Sequence, residues 1–303
     1  MNNSKIGVIG LGYVGLTFSI SLAKKNFEVY GYEIDNNTFN TISKGKAQFY
    51  EENINNDLKK TLKNKKIKLF QNLKNIGECN VIFITVGTPI KETKKVNLKK
   101  LFNLINNLKD KLEENTIVAL RSTVKLGTTK KIEKILNKNK KINLAMCPER
   151  TAEGSALKEI HFLPQVIGAI NIFTKNKLKK IFKKITKTTI IFNSYEEAEI
   201  LKLIDNSYRD TIFGFANELA SISEYYKINI LNVISKIGIK YPRSKVAYPG
   251  TVGGPCLTKD SHLLIESVKK KVKLNIIKSA RKINEDLPLK TINIVKKKVQ
   301  WPV

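Results

Sequence analysis

Lys5-Ile6-Gly7-Val8-Ile9-Gly10-Leu11-Gly12-Tyr13-Val14-Gly15 is a short apolar run that ends in a G-x-G-x-x-G spacing and gives way to a helical pattern. The run reads as a buried parallel strand, and residues 13–25 as the helix that follows. Gly10 permits the tight turn, Gly12 lets the backbone approach a pyrophosphate, and Gly15 lets helix and strand pack closely. The helix amino terminus, where Tyr13 and Val14 stand, offers free N–H groups to phosphates. Residues 27–32 read as a second strand and close a βαβ unit. Glu33 at its end is the best candidate to bond the adenosine ribose hydroxyls, with Asp35 as the runner-up. An acid there repels a 2′-phosphate, so NAD is expected rather than NADP.

Outward from this unit, strands are expected at 66–70, 80–86, 116–121, 142–147, 165–168 and 189–192. Helical patterns fall between several of them, at 98–112, 128–136 and 175–184. Strands alternating with helices at this spacing imply an α/β, Rossmann-type, doubly wound and mostly parallel sheet. After residue 192 the pattern turns all-α. Residues 195–226 carry apolar positions at helical spacing without proline and read as one long helix. Helices at 229–237, 261–270 and 274–284 follow, and a last one at 289–299 after Pro288, before Gln300-Trp301-Pro302-Val303. The expected division is a dinucleotide-binding domain over 1–192 and a helical domain over 193–303.

Composition narrows the classes. The chain has 303 residues, 42% of them hydrophobic, which suits a soluble globular protein of two domains. No apolar run is long enough to span a bilayer, and a cytoplasmic protein with no leader peptide and no membrane partner is expected. Three cysteines without paired spacing (Cys79, Cys147, Cys256) argue for a reducing compartment and against disulfides or zinc. His161 and His262 lack metal-ligand spacing, and no metal is expected. The formal charge of +29 invites a nucleic-acid partner, but only five of the 55 basic residues are Arg. Phosphate and base recognition favours the arginine fork. The lysines are dispersed and accompany abundant Asn and Ile, as an AT-rich genome would produce, so no nucleic-acid partner is expected.

Five further segments carry chemistry. Val252-Gly253-Gly254-Pro255-Cys256-Leu257-Thr258-Lys259-Asp260 places a thiol after two glycines and before a lysine and an aspartate. It reads either as a reactive cysteine or as a small core cysteine at a turn. Thr85-Val86-Gly87-Thr88-Pro89 and Arg121-Ser122-Thr123-Val124 lie at the carboxyl ends of expected strands, where a sheet of this kind faces its ligand. Cys147-Pro148-Glu149-Arg150-Thr151-Ala152-Glu153-Gly154 holds two carboxylates that can serve as a base and a water-orienting group, or as a solvated helix cap. Lys202 and Asn206 share one face of the long helix, either as functional groups or as its polar stripe.

Taken together and in order, these segments resemble the UDP-glucose/GDP-mannose dehydrogenase family. The resemblance rests on GLGYVGL at 10–16, STVKLGTT at 122–129, CPERTAEG at 147–154, Lys202 through Asn217-Glu218, GGPCLTKD at 253–260 and ARKINEDLP at 280–288. It implies a four-electron oxidation of a nucleotide sugar at C6, from alcohol to carboxylate, with two NAD. Cys256 would be the nucleophile that traps the aldehyde as a thiohemiacetal. Lys202 would stabilise the oxyanion and Asn206 would add a hydrogen bond. Glu153 and Asp260 would be the base and water-positioning groups, and Thr123 would hold water or cofactor. Thr88 would line the cofactor site. Glu149 and Arg150 would line the junction of cofactor and substrate, and Tyr248, Gly250, Gly253 and Gly254 the sugar nucleotide.

The CPER segment favours a UDP-N-acetylhexosamine, with UDP-glucose as the alternative. The long helix would form a homodimer. Thr258 stands where proline is usual. Family members also carry a carboxy-terminal domain for the nucleotide. Its absence after Pro288 leads to the expectation of a chain that binds NAD but oxidises nucleotide sugar poorly. The competing readings are an inactive NAD-binding, dimerising fragment and another two-domain dehydrogenase that lacks the cysteine loop.

Overall fold

A computed structural model describes residues 5–90, 93–138, 140–268 and 271–298. The chain divides into two compact units, Met1–Pro89 with Asn97–Lys202, and Ile90–Val96 with Leu203–Val303.

The first unit is an eight-stranded sheet in the order β3-β2-β1-β4-β5-β6-β7-β8. Its strands are Lys5–Ile9 (β1), Glu28–Tyr32 (β2), Ile67–Phe70 (β3), Val81–Ile84 (β4), Ile117–Leu120 (β5), Asn143–Met146 (β6), Gln165–Gly168 (β7) and Thr189–Phe192 (β8). All neighbours pair in parallel except β6 and β7, which meet antiparallel at Met146 and Gly168. The order of the strands reverses its direction of travel between β1 and β4, the switch point at whose carboxyl strand ends sheets of this kind take their ligands.

Alternation decides both faces. Val81 and Phe83 of β4 and Ile117 and Ala119 of β5 join one core, and Ile82, Ile84, Val118 and Leu120 join the other. Burying each large side chain contributes roughly 1.5–3 kcal/mol. Tyr13–Lys24 (α1) packs its Phe18 edge-on against Phe83, ring centroids 4.8 Å apart. Asn36–Ser43 (α2) and Ile54–Lys63 (α3) were not expected from the sequence, since both are short and polar. Lys99–Leu108 (α4), Thr128–Leu136 (α5), the four-residue Ala156–Glu159 (α6) and Ile172–Phe182 (α7) complete the layers.

Tyr195–Tyr226 (α8) is a single helix of 32 residues, as its periodicity indicates, and the division between units falls within it. The second unit continues with Ile230–Ile237 (α9), Leu257–Ser267 (α10) and Asn275–Lys298 (α11). Within this unit a bridge joins Ile90 to Val96, and the Val96 N–H donates to Glu266.

Two expectations are corrected. Residues 274–284 and 289–299 are not two helices parted by proline, because α11 runs through Pro288. The ring removes one intrahelical donor, and helix on both sides outweighs that single loss. Helix α10 starts not at residue 261 but at Leu257, with Cys256 as its N-cap. The expected extensions to residues 269–270 and 299, and the Gln300–Val303 tail, lie outside the described residues. Among those described, no helix is long and apolar enough to cross a membrane, and no group of three or more His, Cys, Asp or Glu is arranged to hold a metal.

Candidate active site

The three glycines of the opening motif differ in what surrounds them. Gly10 has φ +91°, a left-handed conformation that favours glycine. At Gly12, the N-cap of α1, an added Cβ would meet nothing within 4 Å. At Gly15 it would lie 1.8 Å from the Gly10 carbonyl oxygen. The turn needs a left-handed glycine at the first, is open to a ligand at the second and is closed at the third, which suits a dinucleotide pyrophosphate at Gly12. One Glu33 oxygen accepts from the Leu11 N–H at 2.8 Å and the other from the Asp35 N–H at 2.9 Å. Its carboxylate is therefore fixed against the glycine loop. Asp35 is engaged elsewhere: it caps α2, accepting from the N–H and hydroxyl of Thr38.

Side-chain bonds tie the crevice walls together at the ends of β1, β4 and β5. Thr85 donates to the carbonyls of Ile9 and Gly10, Ser122 to that of Val86, and Thr88 to that of Thr123 at 2.6 Å. Tyr13, opening α1, donates its hydroxyl to the Ala152 carbonyl, and burial raises its pKa. The cofactor turn and the 147–154 segment are thereby joined.

The two carboxylates of that segment have different surroundings. Glu149 is buried and pairs with Arg121, whose side chain has 0% exposure. It also accepts from the N–H groups of Arg150 and Thr151. Burial opposes its ionisation, but the Arg121 charge and these donors outweigh burial and hold the carboxyl below its usual range. Arg121 in turn stacks on Phe18 at 4.2 Å and bonds Gln165. Glu149 therefore shapes the loop, while Glu153 is exposed and Gly154 takes φ +88°. Arg150 is half-buried beside them.

Lys202 on α8 is 8% exposed, and among the described residues its ammonium has no hydrogen-bond or ion-pair partner. One turn earlier, the buried Glu199 accepts from the N–H groups of Gly127 and Thr129 and the Thr129 hydroxyl, capping α5. Burial pushes its carboxyl up against those donors.

In the second unit Asn206 of α8 donates to Asp260 of α10 at 2.6 Å, both side chains buried. Cys256 is exposed and Cys79 and Cys147 are buried. The backbone N–H groups of Lys259 and Asp260 close onto the Cys256 carbonyl, so Cys256 and Asp260 share a face one turn apart. The amino end of α10 offers its dipole and free N–H groups to negative charge on the sulfur. Gly254 has φ +84°, and an added Cβ would meet nothing within 4 Å at Gly250, Gly253 or Gly254. Gly250 is held in both directions by Asn217, and Tyr248 is exposed.

Sequence reasoning missed the buried group beneath this loop. Asp210 accepts from Arg281 at 2.8 Å, Ser261 at 2.9 Å and Asn284 at 2.8 Å, and Asn284 continues to Asn217. The one sign of it in the sequence is polar residues recurring on otherwise apolar helices. Arg121 was read only as part of a strand end.

Residues 4–186 match the model described as UDP-glucose/GDP-mannose dehydrogenase family, NAD binding domain, and residues 196–286 match that family's central domain. The chain is 31% identical over 291 residues to a UDP-N-acetyl-D-mannosamine dehydrogenase of Pyrococcus horikoshii, covering 94% of this chain and 69% of that protein. A Methanocaldococcus jannaschii protein of the same name is 33% identical over 297 residues, covering 97% and 68%. Among solved structures, the Pyrococcus horikoshii UDP-D-ManNAc dehydrogenase superposes with a TM-score of 0.90 at 30% identity, covering 97% of this chain and 71% of that one. A UDP-glucose dehydrogenase from Pyrobaculum islandicum gives 0.90 at 22% identity, covering 98% and 71%, a likeness of fold.

Proposed function

Because the chain belongs to the UDP-glucose/GDP-mannose dehydrogenase family, whose members are NAD-dependent nucleotide-sugar oxidoreductases, we propose that it oxidises the C6 alcohol of a UDP-N-acetylhexosamine, foremost UDP-N-acetyl-D-mannosamine, to the carboxylate. The observation that carries this is Cys256, the exposed cysteine of the three, at the amino end of α10 with Asp260 one turn on. NAD is the cofactor, and the Gly10–Gly15 turn with Glu33 fits it. Held by the glycine turn and Glu33, NAD would supply the hydride acceptor for each of the two oxidations at C6.

The chain's own groups do the rest. A base, assigned to Glu153, takes the alcohol proton as the first hydride leaves. The Cys256 thiolate then adds to the aldehyde carbon, forming a C–S bond and a thiohemiacetal oxyanion. Lys202, largely buried and without a hydrogen-bond or ion-pair partner among the described residues, supplies fixed positive charge to that oxygen. Loss of the second hydride gives a thioester. Water oriented by Asp260 and Asn206 gives a proton to the base assigned to Glu153 as its oxygen adds to the thioester carbon; the C–S bond breaks, the thiolate leaves, and the acid product loses its proton to solvent as the carboxylate. Thr123, Thr88, Glu149 and Arg150 line the crevice. Tyr248, Gly250, Gly253 and Gly254 receive the nucleotide sugar.

The test is stoichiometry. Two NADH should form per sugar, and UDP-N-acetyl-D-mannosamine should exceed UDP-glucose by about tenfold in kcat/KM. Lys202→Met should lower kcat by about 10²–10³-fold with NAD affinity held within about twofold. A single NADH per sugar, or an aldehyde product, would sink the covalent scheme.

A homodimer through α8 is part of the same proposal. Ile204, Tyr208, Phe215 and Ile222 are exposed at spacings of a half or a full heptad, a stripe suited to a second helix. Phe215→Lys with Ile222→Lys should convert a dimer to a monomer in sedimentation. A wild-type chain that sediments as a monomer at micromolar concentration would refute it.

A further inference from the structure

Helix α10 is preceded by Gly253-Gly254-Pro255, where the glycines have open surroundings and Gly254 is left-handed. On that side the first turn of α10, which begins after Cys256, is tied by the exposed bond from the Thr258 hydroxyl to the Gly254 carbonyl at 2.7 Å. Further bonds come from the other side. Arg281 of α11 is 2% exposed. Its Nη1 donates both to the Asp210 carboxylate at 2.8 Å and to the Leu257 carbonyl at 3.1 Å. Leu257 is the residue after Cys256. Asp210 of α8 also accepts from Ser261, one turn along α10, and Asn284 donates to both its carboxylate and its backbone carbonyl. Three helices therefore converge on one buried carboxylate, and two of its donors act on the first turns of α10.

We propose that Arg281 is a positioning residue for the nucleophile: through the Leu257 carbonyl and Asp210 it holds the amino end of α10, and with it the Cys256 sulfur, in its reactive placement. The proposal rests on the covalent role given to Cys256 above. A buried ion pair need not add stability, since well-packed apolar residues often replace one without loss. What apolar replacement cannot supply is the directed bond to the carbonyl beside the cysteine. Arg281 makes both bonds from Nη1, at the end of a rigid planar fork that sets where this nitrogen lies, whereas lysine would have to bring its ammonium there on a flexible four-carbon stem.

The experiment compares Arg281→Lys, Arg281→Met and Ser261→Ala in the full chain. Alkylation by iodoacetamide, followed site by site, reads Cys256 directly, and Cys79 and Cys147 report on folding because both are buried. For Arg281→Lys, Cys256 alkylation should slow about fivefold, as the helix end no longer faces the sulfur. Turnover should fall about 30- to 100-fold with NAD affinity within about twofold, since small misplacements of a reacting group are costly. Ser261→Ala, which removes one hydroxyl, should move both readouts about threefold in the same direction and decides the matter if the arginine variants do not fold. Folded variants with alkylation and turnover within twofold of the parent overturn the proposal. So does turnover falling only in step with exposure of Cys79 and Cys147. Failure of the covalent role would appear elsewhere, as full turnover in Cys256→Ala, while the alkylation readout still tests the placement.

Discussion

Cys256→Ala is expected to lose at least about 10⁴-fold in turnover while binding NAD within about twofold of the parent. The size follows from the chemistry. Removing a covalent nucleophile abolishes the path through it, and deletions of this kind cost other enzymes up to about 10⁶-fold. No other thiol can take over. Burial pushes the Cys79 and Cys147 thiols up to about 12, so both stay protonated at neutral pH and out of reach of substrate. The NAD affinity should survive because the glycine turn and Glu33 belong to the first unit and Cys256 to the second. Steady-state NADH formation, with cofactor affinity from fluorescence titration, measures both. Turnover near that of the parent would rule out the thiohemiacetal and thioester.

Gly15→Ala should be the most damaging change in the cofactor half. The new methyl would lie 1.8 Å from the Gly10 carbonyl oxygen and 2.6 Å from the Thr85 hydroxyl. Backbone on one side and a hydroxyl already bonded to that backbone on the other leave no flexible side chain to yield. Overpacking of this severity costs roughly 3 kcal/mol, and a fall in Tm on the order of 10 °C accompanies it. Helix α1 would be levered off β1, and NAD binding should be lost. Gly12→Ala is the internal contrast. Its methyl meets no protein atom within 4 Å, so the fold should hold and only the pyrophosphate should be excluded. Thermal melting together with NAD titration separates the two. Equal stability in both variants would contradict the packing argument.

The contrast between these glycines marks how far the sequence could be read. The G-x-G-x-x-G spacing, the eight strands and the long helix 195–226 all lie in local periodicity, and the structure places each of them. Glu33 was legible because strand length and motif offset bring it to the turn. Asp35 looked nearly as suitable, and only its contact with Thr38 shows it to be a cap. Pro288 misled because a local rule treats proline as a stop, and the rule carries no information about the helix on either side.

The pairing of Glu149 with Arg121 was out of reach for a different reason. Residue type and spacing alone do not separate Glu149 from Glu153 as base or support; only the resemblance gave Glu153 the base or water-positioning role and Glu149 a place at the junction of cofactor and substrate. Their difference arises from the guanidinium of Arg121, the residue after β5, held between Phe18 and Phe182. Asp210 posed the same difficulty, since its donors come from α10 and α11, far along the chain.

By itself, then, the sequence determined the α/β class, the dinucleotide turn and the family, because each is encoded in residues close along the chain. Tertiary structure alone decided which carboxylates are spent on support, that Cys256 caps a helix, and that Arg281 and Asp210 hold that helix in place. The physical reason is that burial and hydrogen-bond partners are properties of segments brought together by folding, and no single segment contains them.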